Sequence, residues 1–514
     1  MKKETISTLL DRGILISEEL ASSDIDIDKV VSKLPDEILF VNKDVLSLLD
    51  KNIIDINWKE LERIKGLSEK KNNTELYEKF IDCVSKKKEV NICKNETIGK
   101  VKVTFNYDKE IKKKEVKDFV AYYNKRFKSI ETLLKNRQEL FGLTSIARVN
   151  TKTDREKVSI IGIVKDRSVT HNGHVMLTLE DPTGTIKVLV SNKSEHLETA
   201  KNIVHDEVIA INGSTGDKIV FAGNIVFPNV PLHKELKKSP LEEYAMFLSD
   251  LHVGSNHFLK EKFEKFIKWL NDEVGTEEHK RIAKKLKYIF IIGDIVAGVG
   301  IYPGQEEELT IKDVCVQYEE CAKYLNQIPK HITLIICPGN HDSVRISEPQ
   351  PAFDRTFAEP IFKLDNAILL SNPGHVNIGG TENFPGFDVL LYHGYSFDYF
   401  ISNVDSIRNN GGYNRADLVM TFLLQRRHLA PTHTSTPYIP DKSFDPLFIK
   451  KVPDFFVSGH IHKSCVASYR NVSLICGSCW ESTTPFQEKV GHVPEPAQVP
   501  IVNLKTRKTK ILRF

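Results

Sequence analysis

The sequence predicts a multidomain α+β protein: a small helical N-terminal domain, a small antiparallel β-barrel, and a larger domain in which strands and helices alternate. Three observations lead there. A chain of 514 residues exceeds what one hydrophobic core supports, so it divides into several domains. The hydrophobic period changes along the chain, from helical to two, and then to short apolar runs separated by helical stripes. Asp, Asn and His residues gather just past the ends of those apolar runs, where an open α/β sheet keeps its binding edge.

Residues 1–60 read as the small helical domain and residues 61–144 as a charged linker followed by a helix. In that helix Val116, Phe119, Val120, Tyr123, Phe127 and Ile130 share one face and predict its buried side. The lysine runs at 86–88 and 112–114 read as solvated or linking segments. Over residues 145–235 the period is two. Val175, Leu177 and Leu179 alternate with Met176, Thr178 and Glu180; Asp181-Pro182-Thr183-Gly184 supplies turn chemistry, and Ile186, Val188 and Val190 resume the alternation. With further alternations at 158–164, at 208–212 and from Lys218, about five strands fit in roughly 90 residues, which predicts an OB-type barrel. Such barrels bind single strands or dock proteins, and exposed aromatics that would stack bases are few here. Over residues 240–514 the runs YAMFL, YIFII, ITLIIC, DVLLY and DFFV read as buried strands. Stripes such as Phe263, Phe266, Ile267, Leu270 and Val274 read as the helices between them.

Lys and Arg number 72 against 69 Asp and Glu, a net charge of +3. A chain this balanced does not coat polyanions, so any nucleic-acid contact must be a local basic patch. The 8 cysteines are scattered and read as reduced thiols. The single C-x-x-C, Cys476 to Cys479, has no second pair to complete a zinc ribbon and reads as small residues beside a buried strand. No apolar stretch approaches the roughly 18 residues of a membrane span, and the start lacks a secretory segment; both predict a cytoplasmic protein.

The loops after the apolar runs carry the chemistry: Ser249-Asp250-Leu251-His252, Gly293-Asp294, Pro338-Gly339-Asn340-His341-Asp342, His393-Gly394 and Gly459-His460-Ile461-His462. One such histidine is ordinarily structural. Five loops bringing carboxylates and imidazoles to one sheet edge would be electrostatically unstable without cations, so together they predict a metal site with room for two ions. Imidazole, carboxylate and one amide, with no thiolate, suit Mn2+, Fe2+ or Zn2+ better than Ca2+ or Mg2+ alone.

The ordered series D-x-H, G-D, G-N-H-D, H-G and G-H-x-H, over residues 244–505, resembles the calcineurin-like metallophosphoesterase superfamily. That resemblance implies a four-layer α/β/β/α domain in which Asp250, His252, Asp294 and His462 hold one ion, and Asp294, Asn340, His393 and His460 the other. Asp294 would bridge, and His341 would act beside the leaving group. Mn2+ or Fe2+ is the expected pair, with Zn2+ or Mg2+ as alternatives. Ala297 stands where many relatives carry an aspartate that orients the site. The succession of helical domain, barrel and phosphoesterase, with the strings GVGIYPGQEEEL from Gly298, QRRHLAPT from Gln425 and TPFQEKVGHVPEPAQVPIVNL from Thr484, resembles the small subunits of archaeal family-D DNA polymerases. These are relatives of the accessory B-subunits of eukaryotic replicative polymerases. The resemblance implies a 3′→5′ exonuclease on single-stranded DNA ends and a large catalytic subunit as partner, with a sliding clamp as a further candidate. A non-catalytic scaffold and a stand-alone phosphatase or phosphodiesterase are the alternatives. Arg345, Arg426, Arg427 and His428 are the expected DNA contacts, because arginine forks suit phosphates. Tyr395 and Phe397, beside His393, read either as packing or as base-stacking residues. The final KTRKTKILRF shows no clamp-binding peptide.

Overall fold

Alternation of apolar and polar residues after residue 145 closes into a barrel in the computed structural model. The structure describes residues 101–514, apart from 110, 111, 153, 154 and 490, and the short parallel pair β1 (Leu15–Ile16) and β2 (Phe40–Val41). The chain forms two units, Met1–Lys94 and Asn95–Phe514. In the first unit, the segment expected to be helical contributes the β1–β2 pair; the rest of residues 1–60 and the lysine run at 86–88 lie outside the described residues. All that follows concerns the second unit.

The barrel runs β4 (Lys157–Val169), β5 (Val175–Asp181), β6 (Gly184–Val190), β7 (Val208–Gly216) and β8 (Ile219–Val226), closed in the order β4-β5-β6-β8-β7. Closure leaves no unpaired strand edge. Val175, Leu177, Leu179, Ile186, Val188 and Val190 all point inward and are buried, as the alternation requires. The β5–β6 turn is held by the Asp181 carboxylate, which accepts backbone N–H groups from Ile146, Thr183 and Gly184.

In the larger domain, short apolar runs become two six-stranded sheets. The first is ordered β12 (Ala367–Leu369), β11 (Thr333–Cys337), β10 (Leu286–Ile292), β9 (Tyr244–Leu248), β18 (Gln498–Asn503) and β19 (Thr509–Arg513). Its first four strands are parallel, and parallel strands covered on both faces are apolar at nearly every position. The second sheet is ordered β16 (Cys465–Tyr469), β17 (Val472–Cys476), β15 (Phe455–Ser458), β14 (Phe387–Leu391), β13 (Gly374–Ile378) and β3 (Val101–Phe105). Phe247, Phe290 and Ile335 of the first sheet pack against Val389, Phe455 and Ile475 of the second in one core. Burying each such side chain is worth about 1.5–3 kcal/mol. The outer face of the first sheet is covered by the helices Lys260–Leu270 and Val314–Asn326. That of the second is covered by the helices Phe397–Asn403 and Ala416–Arg426.

Two expectations need correction. The segment read as linker supplies β3, which pairs antiparallel with β13 through Val101 and Val103 against Ile378 and Val376. The helix after it, α1 (Val116–Lys135), buries Phe127 and Ile130 of the expected face but leaves the first turns of that stripe outside. Val116, Phe119 and Val120 are exposed, whereas Tyr122, Arg126, Phe127, Ile130 and Leu134 are buried. The reason is an ion pair: Arg126 Nε meets Asp445 Oδ2 at 2.8 Å, and a buried charge pair with supporting hydrogen bonds sets the rotation that apolar spacing alone would set otherwise. Thr509–Arg513 of the C-terminal run is an edge strand of the first sheet, and Phe514 packs on Phe266 and Trp269.

Candidate metal centre

Each predicted ligand loop leaves the carboxyl end of a buried strand, and the backbone there is bent sharply. Asp250, His252, Asp294, His460 and His462 have φ of 52°, 51°, 52°, 72° and 51°. Non-glycine residues rarely take this left-handed conformation, and clusters of it mark sites whose surroundings over-determine the strain. Neighbouring loops supply that constraint. Asp250 N–H donates to Gly293 O (3.1 Å), His252 N–H to Asp294 O (3.0 Å) and Gly459 N–H to His393 O (2.8 Å). Two glycines let the loops approach: a Cβ on Gly293 would overlap His393 Nδ1, and one on Gly459 would overlap Ser249 Oγ.

Three overlapping groups of donor atoms result, each with its atoms within 4.8 Å of one another: Asp250, His252 and His462; His252, Asp294 and His341; Asp294, His393 and His460. Asp294 belongs to two of them. Its Oδ2 lies 3.3 Å from His393 Nε2 and 4.0 Å from His252 Nε2, while its Oδ1 accepts the backbone N–H of His341 at 2.8 Å. Asn340 Oδ1 lies 3.0 Å from His393 Nε2. His393 Nδ1 lies 2.9 Å from Ile292 O, so Nδ1 carries the proton and Nε2 faces the carboxylate. The structure thus brings together Asp250, His252, Asp294, Asn340, His341, His393, His460 and His462.

These residues fit divalent cations. Asp250 Oδ1 is buried with no hydrogen-bond partner, facing His462 Nε2 at 3.4 Å. His252 Nε2 and His462 Nε2 point at each other across 3.2 Å. Burial opposes ionisation of Asp250, yet the facing His462 and the charge of His393 hold its carboxyl at about 2. Burial also works against a charged His393, but Asp294 outweighs it and raises the imidazole to about 10. The carboxylates therefore draw positive charge into a dry pocket. A divalent ion held by these residues would answer the same demand and displace the protons. His252, depressed to about 4 chiefly by burial, is already the neutral form that ligates.

Further side chains, given no role in the sequence reading, hold the donor groups in place. Asp398 Oδ2 takes His460 Nε2 at 2.9 Å and its Oδ1 accepts the Tyr413 hydroxyl at 2.9 Å. Gln487 Nε2 meets His462 Nδ1 at 2.9 Å. Asn372 accepts the His393 N–H (2.9 Å) and donates to Gln350 (2.7 Å), which in turn donates to Gly339 O (3.0 Å), tying two ligand loops together. Asp342, pushed up to about 7 by burial and then by Asp294, accepts Gly339 N–H at 2.8 Å. Partners of this kind typically matter about 10- to 100-fold for metal affinity. Asp398→Asn is expected to weaken Mn2+ binding by that factor in calorimetric titration; unchanged affinity would show that His460 needs no carboxylate behind it.

The expected DNA contacts are a correction. Arg426 is buried and ion-paired to Glu207 at 2.7 Å. Arg427 is buried and donates to the carbonyls of Ile449 and Lys450, and His428 is buried against Asp445 at 2.7 Å. Arg345 turns its fork onto the Pro349 carbonyl. The buried Arg426, Arg427 and His428 are spent on internal partners and offer no fork to a phosphate, whereas Arg345 is only half-buried. Phe397 is fully buried and packs, whereas Tyr395 lines the cleft. That cleft has a volume of about 410 Å3. Two of the strings that carried the resemblance line it, through Ile301, Tyr302 and Glu308 and through Thr484, Gln487 and His492. Among the described residues no helix is long and apolar enough to cross a membrane.

The family model that describes the B-subunit of DNA polymerase alpha/epsilon matches residues 245–466, and that of the OB-fold nucleic acid binding domain matches residues 158–218. Barrel, paired sheets and these matches point to the class of DNA polymerase B-subunits. The chain is 39% identical over 390 residues to the DNA polymerase II small subunit of Methanothermobacter thermautotrophicus, covering 76% of this chain and 78% of that one. It is 39% identical over 388 residues to that of Archaeoglobus fulgidus, covering 75% of each. Against that of Pyrococcus abyssi it is 38% identical over 404 residues, covering 78% of this chain and 63% of the relative. The chain belongs to the family of archaeal DNA polymerase II small subunits, the small subunits of family D. Among solved structures, an archaeal phosphodiesterase matches 53% of this chain and 99% of its own at 12% identity and a TM-score of 0.26, too slight a likeness to carry weight.

Proposed function

We propose that this small subunit hydrolyses phosphodiesters at the loop cluster, shortening single-stranded DNA from its 3′ end beside a large subunit that polymerises. We read its larger domain as a calcineurin-like four-layer α/β/β/α phosphoesterase. What supports this is one observation above the others: Asp294 is shared between donor groups assembled from five separate loops. Asp250, His252, Asp294 and His462 would hold one ion, and Asp294, Asn340, His393 and His460 a second. Divalent cations held there would supply Lewis acidity, lowering the pKa of water and neutralising phosphate charge.

The chain's own groups do the rest. Asp294 fixes the His341 backbone through its Oδ1. His341 Nδ1 donates to Ala297 O at 2.8 Å, so a backbone carbonyl orients the ring. Nε2 is left to face the cleft and hold or give a proton to a departing oxygen. Asp398 and Gln487 keep His460 and His462 in register. The full chain in Mn2+ should convert a 5′-labelled single strand into a ladder of stepwise shorter products, and chelation should stop it. A strand left intact with both Mn2+ and the large subunit present would overturn the reading.

A further inference from the structure

The charge of the cleft narrows what can occupy it. Among the described residues that line it there is no lysine and no arginine, while Glu308, Asp398 and Glu481 add carboxylates beyond the donor groups. A run of phosphates would be repelled here. Any part of a substrate beyond the reacting phosphate must be neutral, and in a nucleic acid that means base and sugar. A volume of about 410 Å3 sits near the lower end of small-ligand sites, enough for one nucleotide residue and not for a base pair with its backbones.

One ring in the wall is exposed yet oriented. Tyr413 lies on the turn Gly412–Asn414 and is 36% exposed. Its hydroxyl donates to Asp398 at 2.9 Å, and its ring meets His492 at 5.1 Å, nearly edge-on. The same Asp398 carboxylate takes His460 Nε2, so the ring is tied to a ligand histidine by a single side chain. Tyr395 stands 5.6 Å from His460 on the same wall. An aromatic face held open at fixed distance from a phosphate-handling centre is what a base needs to stack on.

Resting on the hydrolytic reading above, we propose that Tyr413 is the platform for the terminal nucleobase of the strand, with Tyr395 and His492 completing the wall. Tyr413 is then a specificity-determining residue. Two roles must be separated, since the hydroxyl also supports Asp398. Tyr413→Phe keeps the ring and loses the hydrogen bond; Tyr413→Ala loses both.

The test uses the full chain and a single strand carrying 2-aminopurine at its 3′ end, in EDTA and again in Ca2+, so that stacking is read as fluorescence quenching without turnover. Quenching is expected with wild type and Tyr413→Phe and is expected to be lost with Tyr413→Ala. In Mn2+, KM for an ordinary strand should be about 5- to 100-fold higher for Tyr413→Ala than for Tyr413→Phe, whereas a strand ending in an abasic residue should not distinguish these two variants, both of which lack the hydrogen bond to Asp398. Quenching absent from wild type in both conditions, or unchanged in Tyr413→Ala, overturns the proposal; so does Tyr413→Phe failing as badly as Tyr413→Ala, which would leave only the hydrogen bond. Failure of the hydrolytic reading looks different: wild type would quench and never shorten the strand.

Discussion

Asp294→Ala is expected to abolish strand shortening, with a loss of roughly a thousandfold or more. Cations at such a site contribute several kcal/mol of charge stabilisation, and each ~1.4 kcal/mol is tenfold in rate. Asp294 and His252 are each common to two donor groups, but Asp294 lies near His393 as well as His252, so its removal should weaken both ion sites at once and also free the His341 backbone from Oδ1. Single-turnover assays in Mn2+, with metal content measured by elemental analysis, check it. His460→Ala should cost less metal, because it touches one group only. Near-ultraviolet circular dichroism should accompany both variants, because Asp294 also partners the buried His393 at 3.3 Å and raises its imidazole to about 10, so its loss removes a favourable pairing from the metal-free chain. Retention of more than about a tenth of wild-type rate by Asp294→Ala would contradict shared coordination.

Asp445→Ala should produce the largest stability loss, about 3–5 kcal/mol, because it leaves the buried Arg126 charge without its partner. Asp445 accepts from Arg126 Nε (2.8 Å), His428 Nε2 (2.7 Å) and the Tyr122 hydroxyl (3.0 Å), and its side chain has no exposure. Burial alone would raise this carboxyl, but the charges of His428 and Arg126 outweigh it and hold it far below the usual carboxylate range. A depressed folded-state pKa stabilises above the unfolded carboxyl's value of about 3.9 and loses that contribution as pH falls below it. Urea titrations should therefore show the wild type weakening below about pH 4 by more than the variant does. A variant within about 0.5 kcal/mol of wild type at pH 7 would mean that Arg126 finds water or another acceptor.

Which features were legible in the sequence follows from how local their causes are. Asp250, His252, Asp294 and His460 follow buried strands within a few residues of glycines, so the pattern and the geometry share one cause. The barrel is legible for the same reason: Val175, Leu177 and Leu179 alternate because one face is wet. Arg426 was misleading because its partner Glu207 lies in the barrel, and nothing in QRRHLAPT distinguishes an arginine bound for a buried pair from one aimed at a phosphate. The inward face of α1 was partly hidden likewise, since Arg126 counts as polar until Asp445 arrives. Asp398 stands in plain view five residues after His393, but its role depends on the chain folding back so that His460 and Tyr413 meet it.

Strand β3 precedes the barrel in the chain yet completes the second sheet beyond it. The barrel is therefore spliced into the larger domain and anchored by chain at both its entry and its exit. A recombinant fragment that starts at the barrel, or at Tyr244, would strip β13 of its neighbour and uncover a row of unsatisfied backbone groups, an invitation to edge-to-edge aggregation. Anyone trimming this protein to a minimal soluble piece should cut upstream of Val101.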